Sequence, residues 1–386
     1  VTEQKDAAPN LYRVSLPYTE SAQPQKAFKI EYNMEAPDRE LAIRKAEREF
    51  MSFTQYSSAS WIRTIDKDNI RAWRILPDLP QTAPAIDEFA KNFEALDQDT
   101  VYNVLKKLGE LEDSTFIPRV LPLLKHQDSD LAALAAETLG KIGNATCVAS
   151  LIEMFQPSAP ARMKACVLSS LSRIATSKDS IEEIVAHGLG DPDSRVRANA
   201  VELVERLHLS GIARQLVPML GDQDNRVRAN VLKALWSSHD RRLLTSSLQE
   251  MIKSPNRWMR ISAAFVLQHI ECEEQLSLLA QLLADSEPDV QKSARKTLFG
   301  KPDISRIPLW IEHWNQDDTL ADLIATQVFV FGHDGWTALL AFRPADPERK
   351  ALVQRLVKQV GGLVYQQKGV GAWLTFKYLQ LSFVFF

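Results

Sequence analysis

Seven histidines and three cysteines are the side chains best suited to metal binding or nucleophilic chemistry, and their spacing fits neither task. His126, His187, His208, His239, His269, His313 and His333 are scattered among expected loops and helix ends, and no His-Glu dipeptide occurs. They read as surface or capping residues. Cys147, Cys166 and Cys272 stand far apart on expected helices and form no C-x-x-C pair, so zinc has no support. Their odd number and apolar settings read as buried thiols in a reducing compartment, and the expected location is cytoplasmic. Gly369-Val370-Gly371 lacks the strand, loop and helix of a phosphate cradle. No Ser/His/Asp set stands out, although such triads are assembled in space rather than along the chain. No catalytic residue, cofactor or metal site is therefore expected.

The elements that carry these residues repeat. Residues 191–207, DPDSRVRANAVELVERL, place Val196, Ala200, Val204 and Leu207 at i, i+4, i+8 and i+11, one apolar stripe of an α-helix. Asp193 sits near the expected N-cap, where a carboxylate accepts orphan N–H groups. Val227 anchors the next copy, DQDNRVRANVLKAL, Met259 anchors SPNRWMRISAAFVLQHI and Val290 anchors DSEPDVQKSARKTL. Going backwards, Met163 opens MKACVLSSLSRI, Leu131 opens LAALAAETLGKIG, and a faint copy starts at Thr100. These anchors are separated by 31, 32, 33, 31, 32 and 31 residues, the signature of a repeat array. Outer helices are expected over 116–124, 148–155, 180–189, 211–220, 243–252 and 275–283, with a last one over 304–314. A helix pair does not bury its apolar faces alone, so stacking supplies the core.

The pattern D-x-D-x-x-V-R-x-x-A-x-x-x-L-x-x-I resembles the HEAT family in its short, bacterial-style form, over residues 97–315. Asp191, Asp193, Val196, Arg197 and Ala200 match it in one copy, and Asp222, Asp224, Val227 and Arg228 in the next. The outer copies depart from it: Ala132 and Gln291 replace the arginine, and Ser254 and Asn256 replace the aspartates. The resemblance implies that Arg197 and Arg228 bond loop aspartates of their own or a neighbouring repeat. That account competes with a nucleic-acid reading of Arg195, Arg197, Arg226, Arg228, Arg257 and Arg260, in a stretch where twelve Lys/Arg oppose eight Asp/Glu. The structural ladder is the reading adopted. A formal net charge of −3 also argues against a surface that traps polyanions throughout. The missing His-Glu pairs remove any resemblance to the di-iron hydroxylases built on this repeat.

Positions +2, +6 and +9 from each anchor project away from the core stripe at 100° per residue. In the early copies they hold Ala133, Glu137 and Gly140, then Ala165, Ser169 and Ser172, then Ala198, Glu202 and Glu205. Later they become Ala229, Lys233 and Trp236, then Ile261, Phe265 and Gln268, then Lys292, Lys296 and Phe299. The resemblance implies that these helices line a concave face. Lys233, Trp236, Ile261, Phe265, Lys292, Lys296 and Phe299 are therefore the expected partner-binding set. Aromatics and lysines facing away from a core need a cover. Either the C-terminal module folds back over them, or a partner helix or peptide with apolar and acidic residues does.

Small modules are expected at both ends. Residues 1–80 read as ββαββ, with strands over 11–17, 27–32, 61–65 and 70–76 and a helix over 38–50; a Pro-rich linker follows over 81–96. Residues 316–386 read the same way, with strands over 327–331, 338–342, 363–365 and 373–378. Their helix runs from Asp346 to Val360 and is ended by Gly361-Gly362, and residues 379–386 read as a buried strand too short to span a bilayer. The chain opens on Val1, and no signal-peptide apolar region is visible. The expected fold is mainly α: a HEAT-like α-α superhelix, or solenoid, flanked by two small ββαββ α+β modules that cap it.

The leading functional expectation is a non-catalytic scaffold or adaptor. It would bind another protein through the groove of the C-terminal repeats, within a larger complex and without a membrane span. Two alternatives stand beside it: an enzyme of this fold, bilin lyase-like or DNA glycosylase-like, and a nucleic-acid-binding protein that stacks bases on Trp236, Phe265 and Phe299.

Overall fold

The computed structural model describes residues 9–21, 23–56, 63–77, 79, 86–87, 91, 93–175, 181–272, 274–300, 303–312, 314 and 318–383. They fall into two compact units, Val1–Leu235 and Trp236–Phe386. The fold is mainly α, a helical-repeat solenoid with one small antiparallel sheet at its N-terminal end.

In the first unit, β1 (Asn10–Glu20) and β2 (Gln23–Ala36) form a hairpin and α1 (Arg39–Tyr56) follows. Both β3 (Arg63–Ile65) and β4 (Arg71–Ile75) then pair with β1, so the expected ββαββ order holds. Alternation sets the layer: Tyr12, Val14 and Leu16 of β1 share a buried core with Ala42, Ala46 and Phe50 of α1. The expected strand residues 61 and 62, and most of the Pro-rich connector, lie outside the described residues.

The far side of β4 would be an open sheet edge, and the first repeat helix, α2 (Gln98–Leu111), closes it. Asp99 and Asn103 stand one turn apart on α2. The Arg74 N–H donates to Asp99 Oδ1 (3.1 Å), Asn103 Nδ2 donates to the Arg74 carbonyl (2.7 Å), and the Leu76 N–H donates to Asn103 Oδ1 (3.3 Å). Two helix side chains thus supply the bonds that another strand would make. Trp73 stacks on Tyr102 at 4.9 Å beside them. The module covers the first helix of the array, as terminal capping requires.

The array continues in the first unit with α3 (Ile117–Val120), α4 (Ser129–Ile142), α5 (Val148–Glu153), α6 (Ala161–Ile174), α7 (Glu182–Leu189), α8 (Ser194–Leu207), α9 (Ser210–Leu216) and α10 (Asn225–Leu235). The second unit continues with α11 (Arg241–Ile252), α12 (Arg257–His269), α13 (Gln275–Leu283), α14 (Pro288–Gly300) and α15 (Ile307–Glu312). Even-numbered helices carry the seven anchors and, within each unit, stack side by side as its inner layer. Pro122 and Pro218 begin the 3₁₀ turns that finish the outer segments after α3 and α9, where a proline costs no needed donor.

Inner helices approach one another closely through small polar side chains. Thr138 Oγ1 donates to the Leu105 carbonyl (3.2 Å), Ser170 Oγ to Ala136 (2.8 Å), Asn199 Nδ2 to Ala165 (2.8 Å) and Asn230 Nδ2 to Ala198 (3.1 Å). Within the second unit Thr297 Oγ1 donates to the Ala264 carbonyl (2.8 Å). Gly140 makes room for one such contact, since a Cβ there would lie 2.4 Å from Ser170 Oγ.

Arg197 ties two loops, as expected. Arg197 forks onto Asp222 of the next loop, Nε to Oδ2 at 2.8 Å and Nη2 to Oδ1 at 3.0 Å, while Nη1 donates to the carbonyls of Asp191 and Pro192, both at 2.9 Å. In the second unit Arg260 repeats this on Asp285 (2.6 and 3.0 Å) and on the carbonyls of Ser254 (2.8 Å) and Pro255 (3.2 Å). Lys164 stands in for the arginine on Asp191 at 2.5 Å. Gln291 keeps only the link to its own loop, donating to the Asp285 carbonyl at 2.6 Å. Burial pushes the Asp285 carboxyl up, but the Arg260 guanidinium and the Glu287 N–H outweigh it and hold it below the ordinary aspartate value.

The expected C-terminal ββαββ module is replaced by helices. Residues 327–330 end α16 (Asp318–Val330), 338–341 end α17 (Gly332–Ala341), and 363–365 and 373–378 lie in α18 (Pro347–Ser382). The helical period was present: Ala321, Ile324, Ala325 and Val328 are buried at i, i+3, i+4 and i+7, and Leu352, Leu356, Val360 and Val364 at successive fourth positions. The short run QVFVF fits a strand period as well as a helical one, which is why it misleads. Gly361-Gly362 does not end the helix. A Cβ on Gly361 would lie 3.1 Å from the Phe376 ring, so this glycine admits the returning segment. The chain folds back at Gly369, whose φ of +82° lies in the region that glycine alone adopts freely. Residues 379–382 finish α18 rather than forming a buried strand, and 384–386 lie outside the described residues.

Two predictions follow the geometry of these loops and turns. Arg260→Ala should cost about 1.5–3 kcal/mol, the value of hydrogen bonds to a charged group, in urea unfolding at neutral pH. Asp285 binds its proton less tightly folded than unfolded, so its contribution is complete at neutral pH and fades as pH falls below the ordinary value of 3.8. The gap between parent and R260A should therefore narrow in acid, leaving the part due to the two carbonyl bonds; a constant gap down to pH 3 would sink the assignment. Gly369→Val should cost about 1–3 kcal/mol through backbone strain. Gly371→Ala, with open space around it, should not.

Candidate protein-binding face

The seven residues expected on the open face divide between the units and between fates. Lys233, on α10 of the first unit, is half-buried and pairs with Glu205 of α8 at 3.3 Å. The other six belong to the second unit.

Trp236 departs furthest from expectation. It is 6% exposed, its Nε1 donates to the Glu271 carbonyl at 3.0 Å, and the Arg241 guanidinium lies 4.7 Å above its ring. The helix ends at Leu235, so the 100° step that aimed Trp236 outward no longer applies. It pins the start of α11 instead.

The +2 position is also less open than the stripe implies. Ala133 and Ala198 are fully buried, and the Ala198 carbonyl accepts from Asn230 of the following inner helix. A repeat helix touches both inner neighbours as well as its outer partner, so the face left to solvent is narrower than the arc opposite the stripe. It centres on +6 and +10: Glu202 and Arg206 are exposed on α8, Phe265 and His269 on α12, and Lys296 and Gly300 on α14.

Within the second unit, α12 and α14 lie side by side, joined by the Thr297 bond and by Ser293 Oγ to the Ile261 carbonyl at 3.5 Å. Ile261 is half-buried. Phe265 remains 39% exposed, with its ring 4.5 Å from that of His269. Lys292 and Lys296 are exposed along the neighbouring helix. Phe299 is half-buried and stacks on Trp310 of α15 at 5.6 Å, which stacks in turn on Phe331 at 6.3 Å. The face that stays open is thus one aromatic beside two lysines. The third aromatic is covered by the helices that follow.

Sequence reasoning missed a second surface. On the returning half of α18, Val370, Leu374, Tyr378 and Leu381 are 55–75% exposed. Their spacing of i, i+4, i+8 and i+11 equals that of the buried anchor stripes, and this signal was hidden by reading the segment as strands. Lys377 is the one charged residue between Val370 and Ser382.

Two clefts lie in the second unit. A cleft of about 520 Å³ between α17 and α18 is lined by Leu340, Phe342, Val353, Val357 and Phe383 with Arg343 and Lys350. A second, of about 570 Å³, lies beside Trp236, Arg241, Arg242 and Cys272. Burial, reinforced by Glu274, pushes the Cys272 thiol up, and burial does the same to Cys166, so neither is an activated thiolate. Cys147 is fully buried, as expected; Cys166 and Cys272 are only half-buried, and Cys272 sits past the end of α12. Among the described residues no three His, Cys, Asp or Glu side chains converge, and no helix is long and apolar enough to cross a membrane. His313 lies outside the described residues.

No protein-family model and no curated protein matches the sequence. Among solved structures, the chain is similar to the complex of CpcE and CpcF of phycocyanin lyase from Nostoc sp. PCC7120, with 16% identity, 73% of this chain and 96% of that one covered, and a TM-score of 0.40. It is similar to a mutant of Kap121p, with 12% identity, coverage of 72% and 38%, and a TM-score of 0.42. It is also similar to human deoxyhypusine hydroxylase, with 14% identity, coverage of 72% and 96%, and a TM-score of 0.30.

The two aromatics should separate cleanly on truncation. Trp236→Ala should cost about 3–5 kcal/mol, as a buried aromatic does, whereas Phe265→Ala should stay near the roughly 0.5 kcal/mol of a surface change. Equal shifts in thermal melting would mean that the open face has been misplaced.

Proposed function

We propose that this chain is a HEAT-type scaffold or adaptor, and that the open face of α12 and α14 binds a helix or peptide of another protein carrying apolar and acidic residues. The observation that carries the reading is Phe265. It stands 39% exposed on a helix whose Met259, Val266 and Leu267 are buried, with the exposed Lys292 and Lys296 on the adjoining helix. An aromatic anchor gives a binding surface its affinity, and flanking like charges select a partner of opposite sign. The array would span residues 97–315 between a sheet module over 1–80, a connector over 81–96 and a helical C-terminal part over 316–386.

The nucleic-acid alternative loses most of its cations to structure. Arg195, Arg197, Arg257 and Arg260 pair with Asp193, Asp222, Asp289 and Asp285. Trp236 is no stacking platform, since its indole is buried under Arg241. The three free thiols fit a reducing, cytoplasmic setting.

A photo-reactive amino acid at position 265 tests the reading in the native source. Cross-links should map to an apolar, acidic segment of one protein and should vanish with Lys292→Glu and Lys296→Glu. Phe265→Ala should weaken that complex by roughly the 2 kcal/mol of a hot spot without lowering the melting temperature. Cross-links to nucleic acid, or only to the chain itself, would refute the proposal.

A further inference from the structure

The sheet of the first unit keeps one long edge, and its chemistry fits a second copy of itself. The order is β2-β1-β3, with β4 also on β1, so β2 is an outer strand; among the described residues no element pairs with its far side. It is 14 residues long, whereas strands usually run 3–10 residues and natural edges are kept short or covered.

The backbone parity of β2 can be worked out. Arg74 of β4 turns its N–H and carbonyl to α2, so it forms no bonded pair with its partner Tyr12; the bonded positions of β1 on that side are Leu11, Arg13 and Ser15. Asp66 N–H donates to the Pro17 carbonyl at 2.9 Å, which continues the odd series. The even residues of β1 must then face β2, where Tyr12, Val14, Leu16 and Tyr18 meet Met34, Tyr32, Ile30 and Phe28. The N–H and carbonyl groups of Ala27, Lys29, Glu31, Asn33 and Glu35 therefore point outward. An independent contact agrees: Lys45 Nζ reaches the Glu35 carbonyl at 2.7 Å from outside the ladder.

We propose that β2 pairs antiparallel with β2 of a second copy, about a two-fold axis through Ile30. Odd residues must face odd ones, which leaves few two-fold registers. Centring on Ile30 sets Lys29 against Glu31 of the other copy, and Glu31 against Lys29, on the exposed face. On the other face Phe28 meets Tyr32 twice and Ile30 meets itself, and these side chains are only half-buried within one chain. Opposite charges and aromatic pairs across strands both stabilise such a contact. Centring on Glu31 would oppose two glutamates. Centring on Tyr32 would pair Lys29 with Glu35 but leave Glu31 facing Asn33 and Phe28 facing Ala36. The Ile30 register thus sets Lys29 and Glu31, which pair at 2.7 Å within one strand, against each other twice across the axis and leaves Glu35 opposite Gln25, the self-complementarity of an isologous interface.

The test is sedimentation equilibrium of the full chain over a wide concentration range, with melting curves for each variant. The parent should dimerise. Glu31→Pro removes an outward N–H and spares the β1–β2 ladder, so it should abolish the dimer while leaving the fold intact; Ile30→Pro should damage the fold itself. Lys29→Glu should also abolish the dimer, and the double variant K29E/E31K should restore it. Should the proline variant prove unfolded, the charge-swap pair decides alone. A parent that stays monomeric, or a dimer that survives Lys29→Glu, overturns the proposal.

Discussion

The contact between consecutive inner helices is the constraint on which this chain depends. Each repeat helix buries one stripe against its outer partner and a second flank against the next inner helix, so no repeat closes its core alone. Close approach is possible because the flank carries alanine, serine, threonine and asparagine, whose polar atoms find carbonyls on the preceding helix. A larger apolar residue there would separate the helices, and a polar one without a carbonyl in reach would bury an unmade bond. The arginine forks act on the same contact from the loop end, where they fix the spacing between successive turns.

Such an array has ends that must be finished, and two different solutions occur. At the start, a sheet lends its edge strand to α2, and Asp99 and Asn103 convert a helix side into a hydrogen-bonding partner for that strand. Near the end, Arg306 is almost fully buried and donates to the carbonyls of Thr297 and Leu298 at 3.0 Å, the orphan acceptors of the last turns of α14. Burial lowers its basicity without removing the charge, which the helix C-terminus favours. Trp310 adds an indole N–H to the Leu298 carbonyl at 3.1 Å. Helices rather than a second sheet complete this unit.

The face left over after these contacts sets what the molecule can do. Where three neighbours surround a helix, only a narrow arc stays exposed. In the first unit it holds residues such as Glu202 and Arg206; in the second it holds Phe265, Lys292 and Lys296. A change from charged to aromatic along otherwise similar helices is not required by stacking. The binding role proposed above would give it a purpose.

Periodicity in the sequence determined the repeat array, its seven inner helices and the arginine–aspartate ties, because each is a local pattern copied at a fixed interval. Alternation likewise determined the N-terminal ββαββ order. What sequence could not decide was which flank of a helix meets its neighbour. Trp236 looked open by helical angle, but the helix stops one residue before it and the indole turns inward. Phe299 looked open too, and is covered by Trp310, eleven residues further along the chain. The C-terminal segment was misread because short apolar runs satisfy both periods, and only packing, with Gly361 against Phe376 and the reversal at Gly369, selects the helix. The outward parity of β2 is likewise a tertiary fact, fixed by Arg74 meeting α2 two strands away.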